Sequence, residues 1–165
     1  MPTAYARLTI DLQAEARPDA PRAGRVQGNL DNGSKGRAWT SGTGSGEIGQ
    51  VYRAQHTIAA GITVNFDTLA AGGLLDVLDD AVDLDELKWL YIKVTSGRVY
   101  FAAPALDRRD LFKQPNDAID ITAGQAVCID FGAAGLDVTT NSKFDITDIA
   151  GGAGSVVEVS FGGAR

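Results

Sequence analysis

Short runs of alternating apolar residues, separated by glycine-containing turns, constrain the fold of this sequence more than any other feature. Ile62, Val64 and Phe66 alternate with polar residues, which is the period of a strand with one buried face. Residues 87–94 are rich in aromatic and β-branched side chains and run into Thr95-Ser96-Gly97, a turn sequence. No long stretch shows the helical period that alternating strand and helix units require. The sequence therefore predicts an all-β fold.

The number and spacing of these runs predict the architecture. About 8–10 short strands at close spacing are typical of a β-sandwich, a jelly roll or a barrel, and we predict a jelly-roll-like β-sandwich. Residues 73–86 place three leucines and a valine on one helical face, so one short helix or turn is expected there. The expected strands after residue 47 are 50–58, 61–69, 87–94, 98–102, 118–122, 125–131, 136–140, 143–149 and 156–161.

The first 47 residues differ in character from the rest. A strand is expected at residues 4–12, but residues 13–47 contain few apolar side chains and many prolines and glycines. A stretch of this length without regular structure is uncommon inside a compact domain and is typical of a functional loop, an arm or disorder. We therefore expect an N-terminal strand plus a long arm or loop over residues 1–47 and a β-sandwich domain over residues 48–165.

Composition narrows the classes of function. The 165 residues include 15 Lys+Arg and 21 Asp+Glu, and the net charge of −6 argues against general nucleic-acid binding. No apolar run approaches the roughly 18 residues of a membrane span, and the N-terminus lacks the pattern of a signal peptide. The single cysteine and single histidine exclude an intramolecular disulfide and a multi-histidine metal site. We expect no nucleic-acid partner, no membrane partner and no cofactor.

Two residues were examined as catalytic candidates. His56 would need a nucleophile and an orienting carboxylate to act as a general base, and nothing in the sequence singles these out. The alternative is a strand histidine at the surface or rim. Cys128 lies in an apolar strand without an adjacent basic residue to lower its pKa, so a buried thiol is expected. We assign no catalytic residue and do not expect an enzyme.

Acidic residues cluster between residues 76 and 86, and the chain has no Lys or Arg from residue 54 to 87. Such a cluster is a candidate for Ca²⁺, which takes about six to eight oxygen ligands. The spacing is not that of an EF-hand loop, and no central glycine makes the sharp turn. We expect a solvated or partner-facing acidic surface and no metal site. Its members are Asp76, Asp79, Asp80, Asp83, Asp85 and Glu86.

Basic residues are concentrated in two other stretches, one within the N-terminal arm and one near residues 98–113. One interpretation is that these basic residues keep the protein soluble. A more specific interpretation is that they match the charge of an acidic partner surface. The candidate residues for a partner interface are Arg17, Arg22, Arg25, Lys35, Arg37, Trp39, Arg108 and Arg109.

Three segments in sequence order resemble a known class of proteins. The linker at 40–46, Thr-Ser-Gly-Thr-Gly-Ser-Gly, runs into the strand and turn at 51–61. Residues 66–74, Phe-Asp-Thr-Leu-Ala-Ala-Gly-Gly-Leu, and residues 87–94, Leu-Lys-Trp-Leu-Tyr-Ile-Lys-Val, follow. This order resembles the small β-rich structural proteins of tailed bacteriophages and prophages, in particular capsid decoration (cement) proteins. The resemblance covers residues 40–95, and its motifs contain no catalytic residue.

The resemblance implies a virion structural protein that decorates and cements the capsid of a tailed phage by bridging capsid subunits. Its implied partners are the major capsid protein and further copies of itself in a homotrimer, because a small symmetric β-protein can bridge three-fold junctions of a lattice. The implied location is the capsid surface of the virion, after synthesis in the cytoplasm of the host bacterium. The alternative is a tail or fibre module that binds a host-surface glycan or receptor, with candidate aromatic contacts at Trp39, Trp89 and Tyr100.

Overall fold

The computed structural model describes residues 40–41, 47–102, 118–140 and 142–165. The chain divides into two units, Met1–Ser41 and Gly42–Arg165; β1 lies in the first, and all other described elements lie in the second. Within the described ranges, the one helix is a single 3₁₀ turn at Ala70–Gly72. The strands are β1 (Thr40–Ser41), β2 (Glu47–Ile48), β3 (Gln50–Ile58), β4 (Thr63–Asp67), β5 (Glu86–Ser96), β6 (Arg98–Ala102), β7 (Ala118–Thr122), β8 (Ala126–Asp130), β9 (Leu136–Asp137), β10 (Lys143–Asp148) and β11 (Ser155–Ala164).

Two antiparallel sheets form the sandwich. One has the strand order β4-β10-β6-β7, and the other has the order β3-β11-β5-β8, with β9 also paired to β5. If the eight long strands are counted from β3 to β11, leaving out β9, the first pairs with the eighth and the second with the seventh. The third likewise pairs with the sixth and the fourth with the fifth. This nested pairing is that of a jelly roll, so the predicted fold class is confirmed.

Aromatic rings hold the two sheets together. Phe144 on β10 stacks on Phe66 of the same sheet, with ring centroids 5.0 Å apart. Its ring meets Phe101 edge-on at 5.8 Å and meets Phe161, from the opposite sheet, edge-on at 5.9 Å. Tyr52 stacks on Phe161 at 4.8 Å. Such offset and edge-to-face pairs each add about 0.5–1.5 kcal/mol to the burial of their apolar area, so this cluster anchors the core.

β5 shows why alternating apolar residues predict a strand with one face in the core. On β5, Leu90, Ile92 and Val94 belong to the core between the sheets, so Trp89 and Tyr91 lie on the opposite face. A bulge leaves Lys88 without a partner residue on β11, because Gly162 pairs with Trp89 and Gly163 with Leu87.

Sequence and structure agree closely on the strands of the sandwich. β3, β6 and β7 begin and end at the predicted residues, and the other predicted strands after residue 47 each overlap an observed one. Of the short helix or turn expected over residues 73–86, the structure has the turn. The expected strand at 4–12 and most of the expected arm lie outside the described residues.

Candidate functional site

The eight residues predicted for a partner interface all lie outside the described residues. They are Arg17, Arg22, Arg25, Lys35, Arg37, Trp39, Arg108 and Arg109. The candidate surfaces in the described residues therefore belong to the sandwich itself, which also contains His56 and Cys128.

His56 lies at the rim of the sandwich, half-buried between the sheets. Its Nε2 atom is 2.7 Å from the hydroxyl of Tyr52, and its ring meets Phe66 edge-on at 4.8 Å. Burial lowers the pKa of the His56 imidazole below its usual value, because the charged form loses solvation. The same burial raises the pKa of Tyr52. These contacts give His56 a packing role that joins the two sheets.

Cys128 on β8 pairs with Tyr91 and faces away from the core. Burial, with a smaller contribution from the Asp130 carboxylate, raises the pKa of its thiol to about 11. A thiol with so high a pKa carries little thiolate at neutral pH, and thiolate is the nucleophilic form. The sequence predicted a buried thiol, whereas Cys128 is only partly buried and lies outside the core.

The acidic segment is a turn ordered by its own first carboxylate. Asp76 is buried, and its Oδ1 atom accepts hydrogen bonds from the main-chain N–H groups of Leu78 at 2.8 Å and Asp80 at 3.0 Å. Its main-chain N–H donates to the carbonyl of Asp80 at 2.7 Å. Asp79 takes a left-handed conformation, with φ of 66°, which aspartate tolerates better than most residues. Within the described residues, no group of three or more His, Cys, Asp or Glu side chains is arranged to hold a metal ion.

The same turn exposes three apolar side chains within four residues. Leu75 is 54% exposed, Val77 59% and Leu78 65%. Leu75 and Leu78, which fit one helical face in the sequence, lie in this turn and point into solvent. The buried residues at this place are Val82 and Leu84, which enter the core directly after the turn.

A buried carboxylate closes the opposite end of the sandwich. Asp148 accepts a short hydrogen bond from the Ser155 hydroxyl and another from the Gly61 N–H at 3.0 Å. The oxygen of the same Ser155 hydroxyl accepts a hydrogen bond from the main-chain N–H of Arg98 at 2.9 Å. The Ser155 hydroxyl, with the main-chain N–H groups, lowers the pKa of Asp148. Gly61 and Asp148 are 87 residues apart, so no local pattern could have revealed this cluster.

Lys88 is buried, although lysine side chains are almost always exposed in folded proteins. Its side chain is fully buried at the β5 bulge. The ammonium group donates to the Glu86 carboxylate and to the carbonyls of Ala133 and Ala134 at 2.7 and 3.0 Å. This lysine fastens the turn after β8 onto the sheet. The only sign of this role in the sequence is a lysine within an apolar strand.

The outer face of the four-stranded sheet carries polar cross-strand pairs. The Thr63 and Thr147 hydroxyls are 2.8 Å apart, and the Arg98 guanidinium holds Asp120 through both carboxylate oxygens, with Nε–O distances of 2.9 and 3.1 Å. Tyr100 pairs with Thr147 and with Asp120 on its two neighbouring strands, and it is 41% exposed.

The two other aromatic candidates differ from Tyr100. Trp89 is only 3% exposed, and its indole N–H is buried without a hydrogen-bond partner. Its ring lies against Gly162, where a Cβ atom would come within 2.7 Å of the indole nitrogen. Trp89 is therefore not available to stack on a ligand, and Trp39 lies outside the described residues.

Comparisons with known proteins add little to this geometry. No family model matches the chain, and no curated protein matches it significantly. Among solved structures, it is similar to a chain from work described as "Bacillus endospore appendages form a novel family of disulfide-linked pili". That match has 12% sequence identity and a TM-score of 0.31, and it covers 75% of this chain and 97% of the other. A likeness of this size carries no argument about fold or function. Separately, within the described residues no helix has the length and apolar character needed to cross a membrane.

Proposed function

We propose that this chain is a structural protein of a tailed phage that decorates and cements the capsid, as a homotrimer bound to the major capsid protein. The observation that carries the proposal is the eight-stranded jelly roll formed by the two sheets. Jelly rolls recur in viral capsid proteins and in lectins, so the fold suits a virion protein without specifying one. The resemblance of residues 40–95 to phage structural proteins supports the same assignment.

The roles of the candidate reactive groups also favour a structural protein over an enzyme. His56 packs between Tyr52 and Phe66, and the raised pKa of Cys128 makes its thiol a poor nucleophile. Asp148 is engaged by Ser155 and Gly61 at a sheet end. A catalytic group needs a partner positioned for proton transfer or attack, and these three side chains instead bind their own framework.

The test is binding of the purified full-length chain to capsids produced without it. The wild-type chain should sediment with such capsids and saturate at a fixed copy number, and it should raise the temperature at which the capsids rupture. Chains carrying His56→Ala or Cys128→Ala should bind equally well if neither group has a chemical role. Failure of the wild-type chain to bind, or loss of binding in either variant with the fold intact, would contradict the proposal.

Glycan binding by a tail or fibre module remains the second candidate function, and the exposure of Tyr100 favours it. An exposed aromatic ring offers an apolar stacking surface, and the neighbouring Thr147 and Asp120 supply hydrogen-bonding groups. Retention on a glycan array that disappears on Tyr100→Ala would support this function. The matched control is Tyr91→Ala, which removes a tyrosine from the other sheet.

A further inference from the structure

Large apolar side chains are rarely left exposed together on a rigid segment without a use. Among the described residues, five large hydrophobic side chains are exposed, and three of them, Leu75, Val77 and Leu78, lie in a single turn. We call residues 74–82 the apolar turn. Contiguous exposed apolar groups bordered by polar residues are typical of protein interaction sites.

The apolar turn is fastened to the sandwich at several points. The N–H of Val77 donates to the carbonyl of Val51 at the start of β3, at 2.9 Å. Within the turn, the N–H of Val82 donates to the carbonyl of Leu74 at 2.9 Å and closes the turn on itself. The amide side chain of Gln50 donates to the carbonyl of Ala81 at 2.7 Å. These contacts add to the Asp76 hydrogen bonds inside the turn.

Such fastening matters for binding because a preformed turn loses little conformational entropy when it meets a partner. The buried carboxylate of Asp76 and the side chain of Gln50 therefore hold three apolar side chains in solvent. Core packing does not account for this, since Val82 and Leu84 supply the buried groups of the segment.

The charges around the apolar turn limit the kind of surface that can bind it. Asp79 and Asp80 are exposed beside Leu78, and no Lys or Arg occurs between residues 54 and 87. The Arg165 guanidinium, which lies next to the turn, is paired with the Asp83 carboxylate at 2.8 Å. Two copies of the turn facing each other would bring like charges together, which disfavours a symmetric self-contact. An anionic lipid surface is disfavoured for the same reason. The complementary surface is an apolar pocket bordered by Lys or Arg side chains.

We infer that the apolar turn inserts Leu75, Val77 and Leu78 into an apolar pocket with a basic rim on the protein assembly that this chain decorates. The inference rests on the proposed function, since it takes the capsid as that assembly. The apolar side chains supply the affinity, and Asp79 and Asp80 orient the turn and speed association.

The experiment compares variants of the full-length chain for binding to capsids that lack it, at 50 and 500 mM NaCl. The principal variant is Leu75→Ser/Val77→Ser/Leu78→Ser. Its circular-dichroism spectrum should match the wild type because the three side chains are exposed, and its dissociation constant should rise about 100-fold. The matched control is Ile62→Ser, which changes a side chain that is 52% exposed in the turn between β3 and β4. This control should bind like the wild type.

A second variant tests the charge argument. Asp79→Asn/Asp80→Asn should bind several-fold more weakly at 50 mM NaCl, and its affinity should depend less on salt than that of the wild type. Asparagine at position 79 also tolerates the left-handed backbone.

The outcomes separate the inference from the proposed function. If the wild type and the triple-serine variant bind capsids equally, the inference is overturned and the capsid proposal stands. If the wild type does not bind, both are overturned. If the triple-serine change abolishes only self-association, measured by sedimentation equilibrium, or only binding to phosphatidylcholine vesicles, the occupant is a second copy or a lipid surface and the inference is wrong.

Discussion

The buried side chain of Lys88 shows how one residue ties a loop to a sheet. Each N–H donor of its ammonium group meets an oxygen, one from Glu86 and two from the carbonyls of Ala133 and Ala134. A fully buried charge is tolerated only when it is paired and hydrogen-bonded in this way.

Replacing Lys88 with methionine should destabilise the fold by about 1–3 kcal/mol, because two main-chain carbonyls lose their charged donor. Urea unfolding measures the change in the free energy of unfolding. The control is Lys93→Met, which removes a half-exposed lysine 3.9 Å from Glu158 and should change stability by less than about 0.5 kcal/mol. Equal stability of the Lys88→Met variant and the wild type would contradict the role given to this lysine.

Asp148 makes stability depend on pH. Its pKa is lower in the folded state than in the unfolded chain, so its contribution is complete above the unfolded value of about 4. That contribution is lost as the pH falls through the folded-state pKa.

We expect the melting temperature of the wild type to fall between pH 5 and pH 2. In Asp148→Asn, the melting temperature should be lower at pH 7 and should fall less on acidification. Asp79→Asn, in an exposed position, should follow the wild-type curve. Differential scanning calorimetry across this pH range measures both effects, and parallel curves for wild type and Asp148→Asn would show that the carboxylate does not contribute as argued.

The raised pKa of Cys128 predicts slow alkylation. At pH 8 a thiol with a pKa of about 11 has far less thiolate than an unfolded cysteine. The greater nucleophilicity of a high-pKa thiolate offsets part of this difference. Reaction with iodoacetamide should therefore be at least about tenfold slower in the native protein than in 8 M urea, as followed by mass spectrometry. Comparable rates would mean that the thiol is neither buried nor shifted.

Among the elements, the strands were predictable, whereas the sequence left open whether residues 73–86 form a short helix or a turn. Alternation places Val64 and Phe66 on the inward side of β4, and that inference needs only the sequence. The leucines near residue 75 fit a helical period, but four hydrogen bonds of Asp76 stabilise the turn. A side chain that bonds to nearby main-chain groups competes with helix formation, which is why the turn forms and the helix does not.

Asp76→Ala should loosen the apolar turn while leaving the sandwich intact. Without the carboxylate, the N–H groups of Leu78 and Asp80 lose their acceptor, so their hydrogen exchange should accelerate at least tenfold. The amides of β5 and β11 should exchange at wild-type rates. Uniform acceleration over the whole molecule would show instead that Asp76 supports the global fold.

At the scale of the whole molecule, the jelly roll depends on pairings that a sequence does not display. β11 lies between β3 and β5, and its residue Phe161 pairs with Tyr52 on one side and with Leu90 on the other. The count of strands and the absence of a helical period predicted the fold class, because they limit the architectures available. Which strands are neighbours depends on pairings between segments that are distant in sequence, such as β3 with β11 and β4 with β10.

The candidate sites likewise depend on three-dimensional positions that a sequence does not display. Sequence analysis selected basic residues by charge, and all of those residues lie outside the described structure. It did not select Leu75, Val77 and Leu78 as exposed residues, because an apolar side chain in a sequence signals burial. Only the three-dimensional position of the turn distinguishes a docking group from a core group.

Electron cryomicroscopy of the phage capsid, imaged with and without this chain, shows whether the chain decorates the capsid. If it does, we expect additional jelly-roll density on the outer capsid surface, arranged in threes around lattice symmetry axes and bridging capsid subunits. This density should disappear from particles that lack the chain. Identical capsid surfaces in the two maps, or density for this chain confined to the tail, would contradict the account.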